Sequence, residues 1–126
     1  MKSALAGAIA AALMLAGAAS AAPDPAKGKA VFNEQCSLCH SASPGVEGAA
    51  PSLSGVVGRK AAGDPKFVGY TPALKKLGVA WTPAGLDRFL ANPGAVAPGT
   101  AMPINVASAA DRQDLIAYLS SLKAGR

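Results

Sequence analysis

The cysteine and histidine residues of this chain all lie in one pentapeptide, residues 36–40, which reads C-S-L-C-H. The pattern C-x-x-C-H is the attachment site of a c-type haem. Its two thiols each add across a haem vinyl group, and the adjacent histidine is then held against the iron as an axial ligand. The motif therefore predicts a chain folded around a haem that is bound covalently at Cys36 and Cys39, with His40 on the iron.

Two other uses of closely spaced cysteines compete with haem attachment. A thioredoxin-like dithiol lies in a βαβ context, but the flanks of the motif contain no run of valine and isoleucine typical of strands. A structural zinc site needs four ligands from cysteine and histidine, whereas the chain has 2 Cys and 1 His. The sequence therefore favours haem attachment over both alternatives.

The N-terminal residues have the composition of a secretory signal peptide. Lys2 gives a positive start, the stretch that follows is apolar and rich in alanine and leucine, and residues 19–21 (A-S-A) resemble a cleavage site. The apolar run is shorter than the ~20 residues that a membrane span requires. We therefore expect export to the periplasm, a signal peptide over residues 1–21 (or one residue longer, ending at Ala22) and one domain over residues 22–126.

The charge of the exported chain is mildly basic. The sequence has 12 basic and 7 acidic residues, and loss of the leader removes only Lys2, which leaves a formal charge of +4 before the haem propionates are counted. This is far from the basic patch of a nucleic-acid-binding domain, and it suits weak docking to acidic protein surfaces. No nucleic-acid partner is expected and, once the leader is gone, no stable insertion into a membrane.

Capping residues and prolines predict helices in the exported chain. Asp24, Thr71 and Thr82 each precede a proline, as an N-cap does before Pro at the first helical position. Ser108 opens the last helix, which has apolar residues at helical spacing. No segment alternates like a strand. The sequence thus predicts an all-α domain with helices from Pro25 to about Gln35, from Pro72 to Gly78, from Pro83 to about Ala91, and from Ser108 onward.

Residues 41–70 lack strong periodicity and are rich in glycine and proline. A loop this long in a compact domain is either functional or disordered, and its apolar residues argue against disorder. We expect it to wrap over the haem. The chain has only six aromatic residues, so the haem itself is expected to supply much of the apolar bulk of the core.

The second axial ligand of a haem iron is His, Met, Cys or Tyr, or the position is open. The chain has no second histidine, both cysteines are used, and Met1 and Met14 leave with the leader. Only Met102 remains, in the loop P-G-T-A-M-P, whose prolines limit the backbone. The plainer alternative is a methionine that fills a gap in the core. Elimination favours Met102 as the ligand opposite His40, a pair that raises the reduction potential.

A series of residues with characteristic spacing runs through the exported chain: Gly28, Phe32, residues 36–40, Pro51, Leu53, residues 58–60 (G-R-K), Tyr70, Thr71, Trp81, residues 92–93 and 98–100, Met102 and residues 115–119 (L-I-A-Y-L). In this series the chain resembles the small class I cytochromes c, bacterial relatives of mitochondrial cytochrome c. The resemblance covers nearly all of the exported chain. It implies an all-α cytochrome c fold in which the first and last helices pack together around one covalently bound haem c.

The resemblance also implies roles for residues around the haem. The carbonyl of Pro51 would accept a hydrogen bond from the ring of His40 and so fix the orientation of that ring. The further haem-propionate and pocket residues that the resemblance implies are Arg59, Tyr70, Trp81 and Thr100. Without the resemblance, the plainer interpretation of Arg59 would be a solvated surface side chain, and that of Tyr70 and Trp81 would be aromatic side chains of the core.

An iron closed on both faces indicates an electron carrier rather than an enzyme. The resemblance implies a monomeric one-electron shuttle between membrane redox complexes: a quinol–cytochrome c reductase-like donor, and an oxidase, reductase or photosynthetic reaction centre as acceptor. The alternatives are a cytochrome subunit of a larger dehydrogenase, a haem peroxidase, for which no spare histidine exists, and a thiol–disulfide oxidoreductase. The lysines that ring the haem edge of the mitochondrial protein are missing at matching positions, which include Gln35, Gly94 and Ala101.

Overall fold

A computed structural model describes residues 11–12 and 21–123 of the chain. The signal peptide expected over residues 1–21 lies outside the described residues, apart from residues 11, 12 and 21, and it stays a prediction. In the part of the chain that the structure describes, no helix is both long enough and apolar enough to cross a membrane.

Helices are the only regular elements in the described residues, which contain no strand. Each helix begins after a residue whose side chain accepts a hydrogen bond from a backbone N–H of the first turn. Four of these five capping residues, Asp24, Thr71, Thr82 and Ser108, were predicted from the sequence. The all-α prediction is confirmed. In chain order the helices are α1 (Pro25–Gln35), α2 (Pro72–Lys76), α3 (Pro83–Ala91), α4 (Pro93–Val96) and α5 (Ala109–Ser121).

The predicted helix bounds are confirmed, but α4 was not predicted. α2 ends just before Gly78, whose φ of +62° is the left-handed conformation expected after a helix. Pro93 ends α3 as expected and also begins α4, because Asn92 caps the new helix by accepting a hydrogen bond from the Ala95 N–H at 3.2 Å. Proline is tolerated at a first helical position, so one residue both ends a helix and starts the next.

α1 and α5 cross in close contact, and Gly28 lies at the crossing. A Cβ atom at this position would lie 1.9 Å from the Asp114 carbonyl oxygen and 2.8 Å from Tyr118 Cβ. The rings of Phe32 and Tyr118 pack with their centroids 5.6 Å apart, and the Asp24 N–H donates to the Asp114 carboxylate at 2.7 Å. The first and last helices therefore pack together as predicted, and their crossing fixes where the chain leaves α1 and enters the C-x-x-C-H motif.

Residues 36–71 connect α1 to α2 without helix or strand. One isolated antiparallel bridge pairs Lys60 with Ala80, and the Ser54 hydroxyl donates to the Lys123 carbonyl just beyond α5. These contacts hold residues 36–71 against the chain just before α3 and against the end of α5. It forms part of the wall of an internal cavity, which agrees with the loop expected over a buried cofactor.

Candidate functional site

The C-x-x-C-H motif forms a tight turn directly after α1. Cys36 caps the helix, and its carbonyl oxygen accepts hydrogen bonds from the N–H groups of Cys39 at 3.2 Å and His40 at 2.9 Å. Because both bonds close on the same oxygen, residues 36–40 form one compact turn. The motif therefore presents its three reactive groups as one unit held by the end of α1.

The ring of His40 is oriented by the loop that follows. Its Nδ1 donates a hydrogen bond to the Pro51 carbonyl at 2.7 Å, as the resemblance implied. Burial lowers the pKa of His40, with a smaller contribution from the nearby positive charge of Arg59, while the hydrogen bond to Pro51 acts in the opposite direction. A neutral ring with its proton on Nδ1 carries its lone pair on Nε2, which is the form that binds a metal.

The Cys36 thiol is in an environment that disfavours the thiolate. Burial raises the pKa of this thiol to about 11, and its position at the C-terminal end of α1 places it by the negative end of the helix dipole. Redox-active C-x-x-C motifs have a lowered thiol pKa and often lie at helix N-termini. The structure therefore disfavours a dithiol–disulfide role for the motif.

One internal cavity of about 410 Å³ brings the predicted site residues together. Its walls are mainly apolar and come from the long segment, from α3 and α5, and from the loop between α4 and α5. An apolar cavity with two thiols, an imidazole and a thioether on its walls fits a covalently bound haem. All nine residues proposed from the sequence line it: Cys36, Cys39, His40, Pro51, Arg59, Tyr70, Trp81, Thr100 and Met102.

Met102 is presented by the loop between α4 and α5. Gly99 turns the loop with φ of +86°, and the Met102 N–H donates to the Thr100 hydroxyl at 3.3 Å. The loop then returns to α3, where the Val106 N–H donates to the Leu90 carbonyl at 2.8 Å. These bonds hold the half-buried Met102 at the wall of the same cavity that His40 lines.

Arg59 reaches back along the long segment. Its guanidinium donates to the Ser52 carbonyl at 2.9 Å and to the Ser54 carbonyl at 3.2 Å. Two of its five N–H donors are used in this way, which leaves three for another acceptor, and Arg59 lines the cavity. The arrangement suits the predicted pairing of Arg59 with a haem propionate, which stays a prediction.

Tyr70 and Trp81 differ in their degree of burial. The Tyr70 hydroxyl accepts a hydrogen bond from the Asp64 N–H at 3.2 Å, and its ring packs edge-on against Phe67 with centroids 5.0 Å apart. Burial is the main cause that raises the pKa of Tyr70. Trp81 is only 7% exposed and packs on Phe89, again at 5.0 Å. Both side chains have the amphipathic character that a polar edge of a haem requires.

Sequence reasoning missed most of the apolar cavity wall and one acidic residue. The wall residues of α3 and α5 show helical spacing, which marks them as buried but does not say what they are buried against. Glu47, a partly buried residue of the long segment with one buried carboxylate oxygen, gave no sequence signal at all. The missed wall residues include Leu86, Leu90 and Val106.

The cavity offers the chemistry of a c-type cytochrome, in which protein sulfur holds the haem and protein nitrogen and sulfur face its iron. The chain belongs to the cytochrome c family, whose family model matches residues 25–123. It is an electron-transfer protein and not an enzyme, and it carries one covalently bound haem c. The peroxidase and thiol oxidoreductase alternatives are set aside with this assignment.

Several relatives match most of the chain. Cytochrome c2 of Rhodomicrobium vannielii is 43% identical over 115 residues, which cover 90% of this chain and 90% of the relative. Cytochrome c of Tetrahymena pyriformis is 45% identical over 100 residues, which cover 79% and 89%. Among solved structures, cytochrome cH from Methylobacterium extorquens matches with a TM-score of 0.69 at 37% identity, covering 78% of this chain and 98% of that one.

Proposed function

We propose that this cytochrome c is a one-electron carrier of the periplasm, with thioether bonds from haem to Cys36 and Cys39 and with His40 and Met102 as axial ligands. The observation that carries the proposal is that all four side chains line one apolar cavity. Met102 is the only methionine among the described residues, and the sequence has no other histidine. The described residues therefore contain no other histidine or methionine that could take either axial position.

The residues of the cavity would set how readily an electron is accepted. When bound, the haem supplies a one-electron ferric–ferrous couple. Neutral imidazole and thioether ligands favour the ferrous state more than anionic ligands do, and the apolar walls limit access of water; both effects raise the reduction potential. If His40 and Met102 both bind the iron, no position on it would remain for a substrate. These side chains support electron transfer alone.

The proposed route to the mature protein begins with export. A signal peptide over residues 1–21 would direct the chain to the periplasm and be removed, leaving the domain of residues 22–126. Cys36 and Cys39 would then each form a carbon–sulfur bond, the thiol hydrogen adding to the other carbon of the vinyl group. This addition needs thiols rather than a disulfide, and both cysteines of the folded domain are free.

Membrane redox complexes are the proposed partners. A quinol–cytochrome c reductase-like complex would supply the electron, and an oxidase, a reductase or a photosynthetic reaction centre would receive it. Cytochrome c2 relatives that match most of this chain support the proposal, and the mildly basic charge suits brief docking to acidic surfaces. We expect the carrier to be a monomer, whereas a dehydrogenase subunit would purify with its partner.

Purified protein is expected to show no reactive thiol after denaturation. Two thioether bonds consume both cysteines, and the haem should therefore stay with the chain during acidic solvent extraction. Intact mass should equal one haem plus a chain that begins at residue 22 or 23, which also tests the leader. A Cys36→Ser variant provides the control, since one thioether would remain. Two titratable thiols in the purified wild-type protein would contradict the covalent site.

Electron transfer to a membrane partner is expected to depend only weakly on salt. Gln35 and Ala101 line the cavity, and no lysine occurs between Lys76 and Lys123. We expect the rate constant to fall less than about tenfold between low and physiological ionic strength. The control is Ala101→Lys, which should steepen the salt dependence. A steep wild-type dependence, unchanged by this substitution, would contradict the prediction.

A further inference from the structure

Glu47 places a carboxylate close to the residues that orient His40. Its Oε2 accepts a hydrogen bond from the Ser52 N–H at 2.8 Å. Its Oε1 is buried and has no hydrogen-bond partner within the described part of the chain. Buried polar atoms are normally paired, so a carboxylate held in this way at a single donor calls for an explanation.

The Ser52 N–H belongs to the same peptide group as the Pro51 carbonyl. That carbonyl accepts the hydrogen bond from His40 Nδ1 at 2.7 Å. One planar peptide group therefore has the Glu47 carboxylate at its N–H end and the His40 ring at its C=O end. Three groups are linked in series: carboxylate, peptide and imidazole.

Such a chain of hydrogen bonds transmits charge. Amide resonance makes the carbonyl oxygen a better acceptor when the N–H of the same peptide donates to an anion, and linked hydrogen bonds strengthen one another by roughly 10–30% per bond. A stronger acceptor at Pro51 raises the electron density of the imidazole, as partners of metal-bound histidine do. An electron-richer His40 stabilises the ferric state relative to the ferrous state.

No neighbouring positive charge neutralises the Glu47 carboxylate. The only ion pair among the described residues joins Arg112 to Asp87, so no cationic nitrogen lies within 4 Å of the Glu47 oxygens. A charge that is partly withdrawn from water acts in a low dielectric and is little screened by salt. The influence of Glu47 on the ring is therefore expected to persist at high ionic strength.

We propose that Glu47 is a positioning residue that lowers the reduction potential of the haem through the 51–52 peptide group. The proposal deepens the proposed function, because it rests on ligation of the iron by His40. Glu47 is not the sole anchor of the segment that carries this peptide group. The Ser52 hydroxyl donates to the Ser43 carbonyl at 2.8 Å, and Arg59 donates to the Ser52 carbonyl at 2.9 Å.

The test is the midpoint potential of the haem-loaded Glu47→Gln variant. Glutamine keeps the shape and an oxygen acceptor for the Ser52 N–H but removes the charge. We expect the equilibrium constant for reduction to rise about three- to tenfold, an upward shift of at most about 59 mV for one electron. The shift should be the same at low and high salt. The hyperfine-shifted ring protons of His40 in the ferric protein should move with it.

Two control variants separate charge from position. Glu34→Gln removes the same charge from an exposed site on α1, close in sequence to Cys36, and should leave the potential unchanged. Ser52→Ala keeps the N–H and loosens the loop by removing the hydroxyl, and should leave the potential close to that of wild type. An equal shift in either control would overturn the proposal, since bulk charge or loop geometry would then explain the result.

The wild-type spectrum distinguishes failure of the two proposals. A low-spin, six-coordinate spectrum together with an unchanged potential in Glu47→Gln would overturn the role of Glu47 alone. A spectrum without a histidine ligand would overturn the proposed ligation and the role of Glu47 with it. An upward shift confined to Glu47→Gln, together with changed His40 ring shifts, is the result that supports the proposal.

Discussion

Replacement of Met102 by alanine is expected to open the iron and to lower the midpoint potential by on the order of 0.2 V, because the axial ligands set haem potentials over a range of about 0.8 V. Met102 lines the cavity from a loop tied to Thr100 and to α3. If Met102 is the ligand, removal of its thioether would leave the iron with water or an empty position. The visible spectrum in both redox states should change from low-spin to high-spin, and weak peroxidase activity should appear.

Two further substitutions test whether the sulfur or the packing is responsible. Met102→Leu keeps most of the side-chain volume without sulfur, and it should behave like the alanine variant in its spectrum. Ile104→Ala truncates an apolar side chain in the same loop and on the same cavity, and it should leave the spectrum unchanged. A wild-type spectrum in Met102→Leu would show that Met102 fills space and does not bind the iron.

Replacement of Gly28 by alanine is expected to lower the free energy of unfolding by about 3 kcal/mol or more. The added Cβ would lie 1.9 Å from the Asp114 carbonyl oxygen, 2.5 Å from its carbonyl carbon and 2.8 Å from Tyr118 Cβ. None of these atoms is the far end of a flexible side chain that could move away. α1 and α5 would have to separate. For a domain of this size the loss corresponds to a fall in Tm of roughly 15 °C, which thermal and denaturant unfolding of the haem-loaded protein would measure.

Gly94→Ala provides the matched control in another helix. A Cβ at position 94 would meet its nearest neighbour, Asn92 Oδ1, at 3.9 Å, which is an ordinary contact. We expect a change within about 0.5 kcal/mol there. Equal stability of the Gly28 and Gly94 variants would mean that the helix crossing is not close-packed. The midpoint potential of folded Gly28→Ala should change little, because Gly28 lies outside the cavity lining.

Features formed by residues that are neighbours along the chain could be predicted from the sequence. Cys36, Cys39 and His40 are neighbours along the chain, so their pattern alone indicates what they bind. Helix starts were equally readable, because an N-cap and a following proline act within one turn. The sequence did not predict α4, because Pro93 was interpreted only as the residue that ends α3, although a proline can also begin a helix.

Contacts between segments that are far apart in the sequence could not be predicted in the same way. The proposed role of Glu47 depends on tertiary structure, because its carboxylate binds the N–H and the His40 ring binds the C=O of one peptide group. The apolar residues of α3 and α5 have the spacing of any core-facing helix. Their role as cavity walls depends on which helices pack together and where the packing leaves space.

The sequence by itself determined the cofactor, the class of protein and the chemical identity of the candidate ligands, because composition leaves one histidine and one methionine outside the expected leader. Only the tertiary structure decided that His40 and Met102 line one cavity. Their meeting depends on the α1–α5 crossing at Gly28 and on the loop that returns to α3 at Leu90. Packing between distant segments is set by the sum of many weak contacts, which no short motif encodes.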